Sequence, residues 1–355
     1  MSKYLNKCFL SPFMTKKILF FKLGAIGDTL MTTPLVRQVC KAFPSAQIDY
    51  LIGNHSAGVL KNNKNITTII PFDEKIFIKK KIISLFSLIK KVRLEKYDLI
   101  FVLDKHWIFN VISFFFGIPM RVGFDRLGRE GFFLTHKVLF DSVKPEILYY
   151  LDLAKSFGIS INEQDVQMDI AIGKNEKKFA QKFFKDNNLT KNTIGICPGG
   201  GVNPGQLLDE KIWPVEKYAK LIKKIKKVNV PILLLGGKTD SSKEQYILEH
   251  CGNITTAVGK TNLQESAALM QLCKGVICND SGPMHIAAAS KTKVLSLFGP
   301  TDPRRLAPLG KRYRYIWKHG EPCYSVFGKM KKKDHVCLET ITVQDVFSEM
   351  KFFQN

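Results

Sequence analysis

The chain has no run of the roughly 18 apolar residues that a membrane-crossing helix needs. Its longest apolar stretch, Trp107 to Pro119, is shorter and contains Asn110, which predicts a buried helix. Residues 1–13 lack the apolar core and cleavage site of a secretion signal, and Met14 offers an alternative start just ahead of the first strand. The 8 cysteines follow no regular spacing, which argues against a disulfide framework and points to reduced thiols in the cytoplasm. His319, Cys323, His335 and Cys337 match no standard zinc pattern, so no metal is expected. Internal repeats, low-complexity tracts and nucleic-acid-binding motifs are missing too. Acidic residues are scarce: 31 Asp and Glu stand against 54 Lys and Arg, a formal charge of +23. With no nucleic-acid motif present, the excess suits an anionic membrane surface or a phosphorylated acceptor. It is spread over both halves, so no single basic domain stands out, and the preponderance of lysine over arginine is equally read in part as compositional drift.

What is present is length and rhythm. A chain of 355 residues, 45% of them hydrophobic, can bury two cores. Ile18–Leu23, Ile48–Ile52, Thr67–Pro71 and Asp98–Leu103 predict strands, with helices over Leu30–Phe43 and Phe77–Lys96 between them. A more polar stretch, about Gly158 to Lys191, interrupts this rhythm and marks the domain connection. It then restarts with strands at Thr193–Cys197, Pro231–Leu235, Ile254–Ala257, Val276–Cys278 and Lys293–Phe298, and helices at Pro214–Lys227, Leu263–Lys274 and Pro283–Ala289. Two successive doubly wound parallel α/β units predict a ligand cleft outside the carboxyl ends of their strands.

The chemistry sits in the turns. Lys22-Leu23-Gly24-Ala25-Ile26-Gly27-Asp28 joins the first strand to a helix, but G-x-x-G-D is not the dinucleotide fingerprint G-x-G-x-x-G. Asp28 reads alone as a helix N-cap, and a carboxylate there can also face the cleft as a base. The later turn Asn279-Asp280-Ser281-Gly282-Pro283 offers capping oxygens, open backbone N–H groups and a proline suited to the first helical turn, an anion cradle. His285 follows one turn on; alone it is more often structural, but beside this cradle it reads as a ligand contact. Gly299-Pro300-Thr301-Asp302-Pro303 is a further polar turn on the same edge, read equally as an ordinary proline-stiffened turn. Pro198-Gly199-Gly200-Gly201, with Lys211-Ile212-Trp213-Pro214 downstream, suits a phosphate as readily as a plain glycine turn beside a solvated lysine.

These pieces resemble glycosyltransferase family nine, the lipopolysaccharide heptosyltransferases. KILFFKLGAIGDTLMTTPLVRQVCKAFPSAQIDYLIG, IGICPGGG…KIWP and NDSGPMHIAAA…VLSLFGPTDP occur in family order across about residues 16–303, and the tail from Cys337 to Thr342 is similar to the family's ending. The resemblance implies a GT-B fold: an acceptor-binding domain over 1–175 and a nucleotide-sugar-binding domain over 176–355, with the final helix packing back on the first. It implies Asp28 as catalytic base, and Lys211, Asp280, Ser281, Gly282, His285 and Gly200 around the donor phosphates. Thr261 and Leu263 fall in the adenine-contacting segment, and Asp240 is a candidate for the ribose hydroxyls. Lys22, Gly27 and Arg121 are expected on the acceptor side, with Arg126 and Arg129 as further candidates. Some members carry threonine where Ser281 stands, and the Asn203–Glu210 segment is longer than usual. The implied donor is ADP-heptose and the acceptor the lipopolysaccharide core, with no cofactor and no nucleic acid.

The expected place is the cytoplasmic face of the inner membrane of a Gram-negative bacterium. The segment from Phe77 to Arg93, basic with apolar residues near helical spacing, either rests on anionic lipid or is an ordinary crossover helix with a solvated basic face. Two rivals stand beside this reading: another GT-B enzyme such as a nucleotide-sugar epimerase, and a non-catalytic nucleotide-sugar-binding protein.

Overall fold

Phe20 and Phe21, adjacent in the first strand, are both fully buried, on opposite faces of the same sheet. That is the signature of a parallel sheet covered by helices on both sides. The structure, a computed structural model, describes residues 15–200, 202–203, 206–318, 320–322 and 337–354. Residues 1–14 and the zinc candidates His319, Cys323 and His335 lie outside them; Cys337 is buried.

The first unit runs β1 (Lys17–Lys22), α1 (Ile26–Met31), α2 (Thr33–Ala42), β2 (Gln47–Gly53), α3 (Asn54–Ala57), β3 (Thr68–Phe72), α4 (Lys75–Ile78), α5 (Ile82–Leu94), β4 (Leu99–Val102), α6 (Trp107–Phe115), β5 (Met120–Arg126), β6 (His136–Phe140) and α7 (Glu146–Ser156). Its strands pair in parallel in the order β3-β2-β1-β4-β5-β6. After α8 (Lys174–Asp186), the second unit runs β7 (Ile194–Cys197), the short antiparallel pair β8 (Val202–Asn203) and β9 (Gln206–Leu207), α9 (Val215–Lys226), β10 (Ile232–Leu234), α10 (Ser241–Cys251), β11 (Thr255–Thr256), α11 (Leu263–Leu272), β12 (Gly275–Asn279), α12 (Gly282–Ala289), β13 (Val294–Leu297), α13 (Pro303–Leu306), β14 (Tyr313–Ile316) and α14 (Val343–Glu349). Its main sheet is parallel in the order β11-β10-β7-β12-β13-β14, the same succession as in the first. Two such sheets facing each other are the GT-B arrangement.

Several expectations shift. The first helix is two: it begins at Ile26 and breaks at Thr32, because Pro34 removes a backbone donor and the Thr32 and Thr33 hydroxyls bond back to the carbonyls of Thr29 and Leu30. The helix expected over Phe77–Lys96 is interrupted where Lys80 adopts a φ of 50°. The 175/176 boundary falls in the first turn of α8, which packs on α11 of the second unit, so the chain crosses before α8. The long Asn203–Glu210 segment contributes to the β8–β9 hairpin. The last helix does not return to the first unit. α14 lies on α9, Gln344 bonds Lys224, and Phe353 fills the space beside Gly275, because its apolar face matches the second core.

Candidate active site

α1, which follows β1, and α12, which follows β12, meet across the boundary between the two units. A Cβ on Gly27 would lie 2.3 Å from Cδ2 of His285, and one on Gly282 would lie 3.4 Å from Ile26. Glycine is what lets the two helix starts approach. Beside this contact a cavity of about 490 Å³ opens between the units, a size suited to a small-molecule ligand.

Asp28 lines this cavity. It is not the N-cap that a sequence reading allows: the cap is Ala25, and Asp28 stands one turn inside α1. Its carboxylate makes no hydrogen bond or ion pair with a described residue, yet it sits in the field of several cations. Burial works against its charge, but Lys22 and Lys105, followed by Lys211, hold its carboxyl below the ordinary carboxylate value. Lys22 does not reach the cavity wall. It is buried, its Nζ lies 3.0 Å from Oδ1 of Asp104, and the backbone N–H of Leu23 donates to the other carboxylate oxygen at 2.5 Å. Burial disfavours the Lys22 ammonium, but Asp104 and Asp28 outweigh it and keep the amine protonated well above its usual range.

On the opposite wall, Asp280 is tied up internally. Its Oδ2 accepts from Lys211 Nζ at 2.9 Å and from the Thr301 hydroxyl at 2.6 Å, in a site where Asp280 is 4% exposed. The carboxylate expected as a capping group of the anion cradle thus positions Lys211 instead, and Lys211 lines the cavity. Burial opposes the Asp280 charge, while Lys211 and the Thr301 bond hold its carboxyl below the ordinary value. Ser281 is the N-cap of α12. Gly200, at a φ of 113°, leaves no room for a side chain, since a Cβ would lie 2.5 Å from the Ser281 side chain. His285 is buried with Nδ1 unpartnered, and burial pushes its imidazole down against the pull of Asp280 and Asp28, so the ring is neutral at neutral pH.

Further along the cavity, Asp240 accepts from the N–H of Gly237 at 2.9 Å and of Gly200 at 3.4 Å, bracing two glycine turns. Thr261 pairs its hydroxyl with that of Ser266 at 2.7 Å, and Leu263 contacts the wall beside Gly58 of the first unit. All the donor-side candidates named from the sequence therefore gather here, with Asp28 and Gly27 facing them.

Arg121 is not among them. It lies near the start of β5, at the far end of the sheet from the cleft, and its guanidinium bonds the carbonyls of Phe133 at 2.7 Å and Ile118 at 2.6 Å. Arg126 pairs with Glu130 at 2.7 Å. A strand was not foreseen at β5, so the ends of the sheet could not be told apart there.

Two residues carry weight that the sequence did not reveal. Asn279 accepts from the Trp213 N–H and the Tyr218 hydroxyl, both at 3.0 Å, and donates to Gly199 O at 3.0 Å, so one amide fixes both the glycine turn and the Lys211 segment. Glu146, at the start of α7, is buried and pairs with Lys105 of its own unit and with Arg305 of the other. Among the described residues no group of His, Cys, Asp and Glu could hold a metal ion.

Comparison with known proteins agrees with this architecture. The chain is 25% identical over 354 residues to the lipopolysaccharide core heptosyltransferase OpsX of Haemophilus influenzae, covering 95% of this chain and 96% of the relative. It is 27% identical to lipopolysaccharide heptosyltransferase 2 of Escherichia coli K12, covering 94% and 97%. The solved structure of E. coli ADP-heptose lps heptosyltransferase II superposes with a TM-score of 0.75 at 26% identity, over 95% of this chain and 98% of that one. A family 9 glycosyl transferase from Veillonella parvula shares the fold with a TM-score of 0.82 at 23% identity, over 96% and 97%. The profile of glycosyltransferase family 9 (heptosyltransferase) matches residues 85–337, most of the chain. The chain is a member of glycosyltransferase family 9, the heptosyltransferases.

Proposed function

We propose that the protein transfers a heptose from ADP-heptose to the inner core of lipopolysaccharide with inversion at the anomeric carbon. The observation that carries this reading is the pairing across one cavity of an unengaged carboxylate, Asp28, with a held cation, Lys211. The acceptor hydroxyl attacks the anomeric carbon while its proton passes to Asp28. The bond from that carbon to the diphosphate breaks, and ADP leaves with the electron pair. Asp28 is a weak base, but it needs to take the proton only late in the transition state. Lys211 and the N–H groups at the start of α12 stabilise the charge growing on the leaving diphosphate. Thr261 and Leu263 suit the adenine and Asp240 the ribose, and no cofactor takes part. The reaction runs at the cytoplasmic face of the inner membrane of a Gram-negative bacterium, where the basic charge suits anionic lipid and acceptor phosphates, and nucleic acid has no part in it. The lack of a long apolar helix among the described residues fits peripheral attachment.

The test is transfer from ADP-heptose to defined truncated lipopolysaccharides, followed by ADP release. Asp28→Asn should lower turnover by about 10²–10⁴-fold with ADP binding retained. Near-normal turnover by that variant would remove the base assignment. No transfer by the unaltered protein to any truncated acceptor would remove the substrate reading.

A further inference from the structure

One face of the first sheet is covered by α4, α5 and α6, and these helices are apolar on the side away from the sheet as well. α6 has the sequence WIFNVISFF, without a charge. Phe109 and Ile112 fill the core beneath it. Trp107, Phe114 and Phe115 are 46%, 47% and 51% exposed, and their spacing, with half-buried Val111 between, makes one stripe along the solvent side. On α5, Leu88 and Val92 point inward while Ile82, Ile83 and Phe86 are 65%, 87% and 67% exposed.

The helices that carry these stripes are neighbours: the ring of Phe77 in α4, just ahead of α5, lies 5.3 Å from that of Phe109 in α6, and Arg93 near the end of α5 abuts Gly117 just past α6. The Phe114 ring lies 5.3 Å from that of Phe133, next to Phe132, which is 88% exposed. Basic residues border this surface: Lys79, Lys80 and Lys81 in the turn before α5, and Lys90, Lys91 and Arg93 along it, all exposed. Lys81 shares Asp73 at 3.7 Å, and Arg121 sits over the Phe114 ring at 5.5 Å.

So many large apolar side chains exposed on neighbouring helices mark a docking site rather than ordinary exposure. Its basic border selects the partner. A second copy docked face to face would bring two lysine clusters together, whereas an anionic bilayer offers acyl chains to the aromatic rings and phosphates to the lysines. We infer that α5, α6 and the Phe132 loop seat the protein on an anionic lipid bilayer. The seat starts at the cleft: Trp107 follows Asp104, which anchors Lys22 beside Asp28. A lipid-linked acceptor would therefore enter from the bilayer side; that orientation rests on the proposed function, and the seating itself does not.

Vesicle flotation with the full chain tests it, using phosphatidylcholine alone and equal parts phosphatidylcholine and phosphatidylglycerol. Binding should require the anionic lipid and weaken with salt. Lys79→Glu/Lys80→Glu/Lys81→Glu should lower partitioning about a hundredfold or more. Ile83→Ser/Phe86→Ser and Phe114→Ser/Phe115→Ser should each lower it about tenfold or more while melting like the unaltered protein, since these side chains are exposed. No binding to anionic vesicles at low salt overturns the inference. So does binding that ignores the serine variants, or a dimer in solution that those variants dissociate. Flotation needs no turnover, so failed transfer activity leaves its result intact.

Discussion

Replacing Asp280 by asparagine should unsettle Lys211. Both side chains are largely enclosed, 5% and 15% exposed, and the carboxylate receives two bonds, one of them from an ammonium. Asparagine keeps an oxygen for Thr301, so the main loss is the charge-assisted bond to Lys211. Such a bond contributes about 1.5–3 kcal/mol, and a stranded buried charge costs up to roughly 3–5 kcal/mol. Taking the lower range, the melting temperature should fall by about 3–12 °C for a unit of this size. A double-mutant cycle with Lys211→Ala isolates the pair, and a coupling of about 1.5–3 kcal/mol is expected. The pH dependence adds a second check. Because the folded carboxyl sits below its ordinary value, its stabilisation is complete above about pH 4 and is lost as pH falls through the lowered value. Asp280→Asn should therefore flatten the acid side of the stability profile. Donor KM should rise in the same variant, because Lys211 loses its anchor. Additive single-mutant effects, within about 0.5 kcal/mol, with unchanged donor KM would refute the positioning role.

Gly27→Ala should drive a methyl into the His285 ring, where a Cβ would stand 2.9 Å from Nε2, and destabilise by about 1–3 kcal/mol in urea unfolding. His285→Ala in the same chain should recover part of that loss; no recovery would mean that the clash lies elsewhere. The pH profile of kcat/KM should show no loss of the Asp28 base until below about pH 4, since Lys22 and Lys105 hold that carboxyl below its ordinary value against burial. A base limb near neutrality would point to another group. Glu146→Gln removes the counter-charge shared by Lys105 and Arg305, and should loosen the two units, read as faster limited proteolysis between them. An unchanged cleavage rate would show that the bridge does not hold the units together.

How much of this is legible in the sequence depends on burial. β1 and β12 are covered on both faces, so their apolar runs announce them. β6 and β14 are edge strands with half-exposed patterns, and β5 carries Asp125, buried with its carboxylate accepting from the N–H groups of Glu130 and Gly131. A buried charge inside a strand looks like a loop until its partners are seen. α6 misled in the other direction: Asn110 is buried as expected, bonded to the carbonyls of Phe124 and Glu130, yet one side of the helix faces solvent. A uniformly apolar segment has no periodicity to show which face is free.

The two aspartates at the centre read alike in the sequence, each an acidic residue near a helix start, and the structure separates them by their partners. Asp280 is engaged through Oδ2 by Lys211 and Thr301, residues 69 and 21 positions away, and no local pattern could have announced them. A carboxylate so bonded is a poor proton acceptor, because taking a proton would break bonds that favour its charged form. Asp28 has no such bonds with the described residues and faces the cavity, so a proton reaches it without dismantling the site. The cations around it, Lys22 and Lys105, are themselves held by Asp104 and Glu146, so their field is fixed in place before any substrate enters. That fixed field lowers the basicity of Asp28 but also keeps it ionised at every physiological pH, and an ionised carboxylate in position is what a late proton transfer requires.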